Sequence, residues 1–231
     1  MKILALDTAS AQCSAALLLD DQLLTRSVAT AREHAQLLLP MIDALLAEAG
    51  TSLRQLDGIA FGRGPGSFTG VRVAASVTQG LAMGAGLPVR PVSDLRALAE
   101  QARRRAPGNL HAGSILACMD ARMGEVYWAT YGLREDQVLE HDMPERVGSP
   151  ASLLDALAGR PLLAIGMGLA AHVHIGKQFG LDDQHCFADA EPHAQDVARL
   201  AHFDLAAGAG WLDAAAAQPV YVRDDVAKIQ R

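Results

Sequence analysis

The sequence predicts an α/β protein made of two lobes on one plan. In the first hundred residues apolar runs and turn signals give three strands, a helix, a strand and a helix. The opening ILALDTASAQCSAALL is then echoed by ILACMDARMGEVYWATY at Ile115 to Tyr131: apolar strand, aspartate at its end, short turn, returning strand. Half the residues are apolar and a fifth are charged, as in chains that bury a core.

Ile3 to Asp7 reads as a buried strand and Ser14 to Leu19 as its partner; Asp20 and Asp21 turn the chain into a third strand near Leu23 to Val28. A long helix is expected over Glu33 to Ala49, with Gly50 as its C-terminal stop. Gly58 to Phe61 is a strand, GRGPGSFTG turns the chain, and Val71 to Met83 is a helix. Beyond the second hairpin come helices near Ser152 to Ala158 and Gln195 to Ala207, with a strand at Leu162 to Ile165. The division falls near Ala106 to Gly108: residues 1–106 form an N-terminal lobe and 107–231 a C-terminal lobe, whose last segment can pack back on the first.

No apolar run approaches bilayer length, and Asp7 interrupts the first run before a secretory signal could form, so a cytoplasmic protein is expected. Cys13, Cys118 and Cys186 are far apart and read as buried thiols. The eight histidines include no HxxxH pair, so no metal site is expected. A net charge of −6 argues against holding nucleic acid alone, since Arg103, Arg104 and Arg105 are only a short basic run.

GRGPGSFTG fails each test for a catalytic loop. A Walker loop needs a lysine that is missing; a dinucleotide fingerprint needs a third glycine where Thr69 stands; a nucleophile elbow needs glycines where Pro65 and Thr69 flank Ser67. What remains is a tight turn with Ser67 as helix N-cap. Arg63, Ser67 and Thr69 are the candidate anion contacts at that helix start. A ribonuclease-H-like metal centre would need several carboxylates; Asp7 is one, but Gly58 to Phe61 adds none, and Asp7 and Asp120 read as strand-end hydrogen bonders.

The helix over Glu33 to Ala49 is apolar over most of its circumference, while the next carries one polar stripe and is otherwise thin. Together they expose more apolar surface than a small lobe covers, which marks an interface.

DTAS at Asp7 to Ser10, REHAQLLLPMID at Arg32 to Asp43, GRGPGSFTGVRVA, LPV at Leu87 to Val89, MDARMGEVYWA and PVYVRDDVA together resemble the bacterial TsaB (YeaZ) family. The likeness runs nearly end to end and is weakest through Gly132 to Phe187. It implies a two-lobed actin-like ATPase (ASKHA, ribonuclease H-like) fold with duplicated lobes. It also implies a role in forming N6-threonylcarbamoyladenosine (t6A) at position 37 of tRNAs that read codons beginning with A. In that family the chain is a non-catalytic subunit: it pairs with the catalytic paralogue TsaD, the ATPase TsaE joins the pair, and ATP and metal belong to the partners.

Where the paralogue has a histidine-bearing HxEGH stretch, this chain has Asp94-Leu95-Arg96-Ala97-Leu98, and leucine cannot ligate a metal. Its DTAS loop has Ala9 where actin-like ATPases place a glycine, so weak or no ATP binding is expected. The resemblance places partner contact on the two helices, at His34, Leu38, Met41 and Leu45 on the first and Val73, Val77 and Leu81 on the second. The same face is implied in a homodimer when the chain is alone, and tRNA is reached only through the complex. On that reading Leu45→Glu should abolish pairing with TsaD and leave the fold intact. The rival readings are a homodimeric regulator and a peptidase-like or kinase-like enzyme of the same superfamily.

Overall fold

The computed structural model describes residues 1–30, 32–106, 113–133, 139–157 and 161–223. They form two compact units. Unit one is Met1–Gln101 with Glu191–Pro219; unit two is Ala102–Ala190 with the segment from Val220. The units meet at Gln101/Ala102, and residues 191–219 lie with unit one.

Unit one holds β1 (Lys2–Asp7), β2 (Gln12–Leu19), β3 (Gln22–Ala29), α1 (His34–Glu48), β4 (Gly58–Gly62), α2 (Phe68–Ala85), β5 (Val89–Val92) and α3 (Asp94–Arg105), which crosses into unit two. The strand order is β3-β2-β1-β4-β5, an antiparallel meander continued by two parallel strands. Unit two holds β6 (Gly113–Arg122), β7 (Glu125–Leu133), β8 (Leu139–Gly148), α4 (Pro150–Ala156), β9 (Leu163–Ile165), α5 (Met167–Ala171), α6 (His174–Phe179) and β10 (Cys186–Phe187). Its order, β10-β9-β6-β7-β8, has the same connectivity and the same senses of pairing. The hairpin echo in the sequence is the trace of this duplication.

α7 (Ala194–Ala206) belongs to unit one for a physical reason. β1 and β4 are buried on both faces, so the sheet needs helices on each side. Leu4, Leu6, Cys13, Ala15, Ile59 and Phe61 pack with α1 and α2. The alternate residues point the other way. Among them, Ser14 accepts a hydrogen bond from the Ala194 backbone N–H at 3.0 Å, which fixes the start of α7 there.

Asp204 on α7 anchors the helix to β5 and α3, accepting from Arg90 at 3.1 Å and from Arg96 at 2.8 and 2.9 Å. Burial alone would raise this carboxyl, but Arg96 and Arg90 bring it below the ordinary carboxylate value. Its contribution is therefore present above the unfolded value and lost as pH falls through the folded one. Asp204→Ala is expected to cost about 2 kcal/mol in urea unfolding at neutral pH, with the gap from wild type closing in acid.

The strand β8, LEHDMPERVG, gives no alternating apolar signal because it is a polar edge strand, paired on one side to β7 with shifts in register. The second unit's core gathers Leu116, Cys118, Val126, Trp128, Leu153 and Ile175. Cys13 and Cys118 are buried and Cys186 is half-buried, all three as free thiols. No helix among the described residues is long and apolar enough to cross a membrane.

Candidate functional site

The glycine turn packs against its own chain. The Ser67 N–H donates to the Ala9 carbonyl at 2.7 Å, and the Thr8 hydroxyl donates to the Gly70 carbonyl at 2.6 Å. A Cβ on Gly66 would stand 2.5 Å from the Ala9 carbonyl oxygen, and one on Gly70 would collide with that of Thr8. The absent side chains thus admit the Thr8–Ala9 backbone. Gly64, at φ 105°, takes the left-handed conformation that glycine adopts without a Cβ clash. Ser67 caps α2 as the sequence predicts, its Oγ accepting from the Gly70 N–H at 3.3 Å. Ser67 and Thr69 are exposed at this helix start, while Arg63 is half-buried and its N–H donates to the Val92 carbonyl at 2.9 Å.

Donors of the DTAS loop are likewise used internally. The Ser10 hydroxyl donates to the Glu191 carboxylate at 2.5 Å and the Gln12 N–H to the same oxygen at 2.7 Å. Gln101 donates to the Glu191 carbonyl at 3.1 Å, so α3 holds this segment in place. An internal carboxylate therefore sits on the loop that would otherwise offer its hydrogens to an outside anion. Asp7 accepts from the Ala9 N–H at 2.9 Å and Asp120 from the Arg122 N–H at 2.9 Å, which makes both the expected strand-end hydrogen bonders. Among the described residues no group of three or more His, Cys, Asp or Glu side chains gathers as a metal site would require.

Burial divides the residues of the two helices. Leu38, Met41 and Leu45 are core residues, packed with Ile42, Phe61 and the apolar faces of β1 and β2. His34 is half-buried, its Nε2 lying 2.9 Å from the Ser10 carbonyl, so it braces the DTAS loop. Val73, Val77 and Leu81 are half-buried along the edge of the same cluster. The exposed residues of α1 are Ala35, Gln36, Leu39, Pro40, Asp43 and Ala44, with Ala47 and Glu48 in the last turn. Those of α2 include Phe68, Ser76, Gly80, Met83 and Gly84. Leu39, Phe68 and Met83 are 45%, 58% and 59% exposed. The reason is geometric: α1 is apolar nearly all round, and the sheet, not the helix, selects which stripe it buries.

The second hairpin turns through Arg122, Met123 and Gly124, all at positive φ, and leaves Met123 almost fully exposed. Beside it Arg223 donates to the Glu125 carboxylate and, at 3.4 Å, to the Ala121 carbonyl. This fixes Arg223 of the PVYVRDDVA motif on the hairpin; the motif's residues after 223 lie outside the described residues.

A family profile described as "TsaD: tRNA N6-adenosine threonylcarbamoyltransferase" matches residues 27–230. The chain is 40% identical to the tRNA threonylcarbamoyladenosine biosynthesis protein TsaB of Escherichia coli (strain K12), covering 98% of this chain and 96% of that one. It is 37% identical to the protein of the same name from Haemophilus influenzae, covering 98% and 95%. The solved structure of YeaZ from Pseudomonas aeruginosa superposes with a TM-score of 0.79 at 39% identity, over 95% of this chain and 99% of that one. Two five-stranded sheets of one connectivity and these likenesses define a duplicated α/β protein of the actin-like, ASKHA type. The chain belongs to the TsaB (YeaZ) family.

Proposed function

We propose that the chain is a non-catalytic subunit for t6A formation at position 37 of tRNAs reading codons that begin with A. It works in the cytoplasm by binding and supporting TsaD. TsaE joins the pair, ATP and metal reside on those partners, and tRNA is engaged through the complex. Support for a role in this modification comes from the names of the relatives. The single observation behind the docking role is the outward row of apolar and small side chains on α1 and α2, with Leu39, Phe68 and Met83 exposed. Large apolar groups left in water on a folded surface favour association. A stable interface would bury roughly 800 Å² on each partner. The Glu191 carboxylate on the DTAS loop supports weak or absent nucleotide binding by the chain alone.

Size-exclusion chromatography with light scattering, on the chain alone and mixed with TsaD, tests this reading. A heteromer is expected to replace the free species, and Leu39→Glu is expected to weaken it by at least about tenfold with the melting temperature unchanged. If the wild-type chains never associate, with or without nucleotide and TsaE, the subunit reading fails and the homodimeric regulator replaces it.

A further inference from the structure

Two carboxyl groups lie wholly inside unit one, side by side under the glycine turn: Asp7 at the end of β1 and Asp94 at the start of α3. One oxygen of each is satisfied by backbone, Asp7 Oδ1 by the Ala9 N–H at 2.9 Å and Asp94 Oδ2 by the Gly64 N–H. The other two, Asp7 Oδ2 and Asp94 Oδ1, have no donor. Both converge on the bare Cα of Gly62: a Cβ there would stand 2.9 Å from the Asp7 oxygen and would collide with that of Asp94. Two acceptors cannot face each other in a dry site unless one carries a hydrogen, and two buried like charges so close cannot both persist.

We propose that Asp7 and Asp94 share one proton, and that this proton is a pH-sensitive clasp between the end of β1 and the start of α3 at the root of the turn that launches α2.

The proton sits on Asp94, whose Oδ1–H donates to Asp7 Oδ2. Burial and then the adjacent Asp7 charge hold the Asp94 carboxyl well above the ordinary carboxylate range, against the Gly64 N–H and the Arg63 charge, which pull it down. Burial raises Asp7 as well, while the bond from Asp94 and the Ala9 N–H act the other way. The charged groups around Asp7 are divided: Glu191 ahead of α7 opposes its ionisation and His34 on α1 favours it. Burial first, and then the Asp7 charge, push the Cys13 thiol on β2 up to about 11. On α7 Asp196 is also buried, and on α3 Arg96 is bound to Asp204 while Glu100 is nearly buried. The inference rests on the geometry of unit one and stands apart from the partner reading.

Because the folded protein keeps a proton that the unfolded chain releases at an ordinary carboxylate value, the clasp contributes fully in acid and is lost as pH rises through the folded value. Across that window the unfolding constant grows about tenfold per pH unit. The experiment is urea unfolding of the full chain from about pH 5 to about pH 9, wild type against Asp94→Asn. The asparagine amide makes the same donation to Asp7 but has no proton to lose. Wild type is expected to show the fall and Asp94→Asn to lack it; parallel profiles would overturn the proposal. Should the variant not fold, the assigned side-chain ¹³C resonance of Asp94 in the wild-type protein decides. Titration well above the ordinary carboxylate range is expected, and titration within that range would overturn the proposal.

Discussion

Leu45→Glu is expected to unfold unit one, not to trim its surface. Leu45 is fully buried in the cluster that joins α1 to β1, β2 and β4. Deleting such a leucine side chain costs about 2–5 kcal/mol. A carboxylate in its place must also be desolvated or protonated, which brings the total to about 5 kcal/mol or more, comparable with a domain's whole stability. Circular dichroism and urea unfolding should show loss of the cooperative transition, with Leu45→Ala retaining the fold at the smaller cost. Leu39→Glu, one surface residue on the same helix, should change stability by no more than about 0.5 kcal/mol. A Leu45→Glu protein that melts like wild type would show that this stripe of α1 is not core.

Gly70→Ala should be strongly destabilising. The new Cβ runs into the Thr8 carbonyl oxygen, and both partners are backbone held by the Thr8 hydroxyl bond to Gly70 at 2.6 Å. No flexible side chain can swing away, so α2 must shift from β1, at an expected cost of about 3 kcal/mol or more. Gly80, exposed on the same helix with nothing beyond its own helix backbone within 4 Å of its Cβ position, is the control. There the alanine should stabilise by about 0.5–1 kcal/mol. Equal effects at the two positions would contradict the packing of the turn on the DTAS loop.

These expectations separate what was legible from what was not. The turn at Gly62 to Gly70 and its Ser67 cap follow from residue chemistry within one short stretch. The atoms that the glycines admit, those of Asp7, Thr8, Ala9 and Asp94, come from elsewhere in the chain and carry no local mark. The Asp7–Asp94 pair is half visible: Asp7 reads as a strand-end aspartate, but no spacing in sequence shows that α3 begins beside it. Glu191 on the DTAS loop had no signal at all, since it lies far along the chain from Ser10 and Gln12. Which stripe of α1 faces water was hidden for a different reason. In Leu37-Leu38-Leu39-Pro40-Met41-Ile42 every direction is apolar, so periodicity could not choose between Leu38, which is buried, and Leu39, which is exposed.

By itself the sequence determined the fold class, the duplicated hairpins, the capped glycine turn and the family, because each is written in local periodicity, turn chemistry or contiguous motifs. Only the tertiary structure decided that α7 packs on the first sheet, that Leu38, Met41 and Leu45 are core, and that two aspartates meet beneath Gly62. Those outcomes depend on which distant surfaces exclude water together, and such long-range burial is set by packing of the whole unit, with no signature in any single segment.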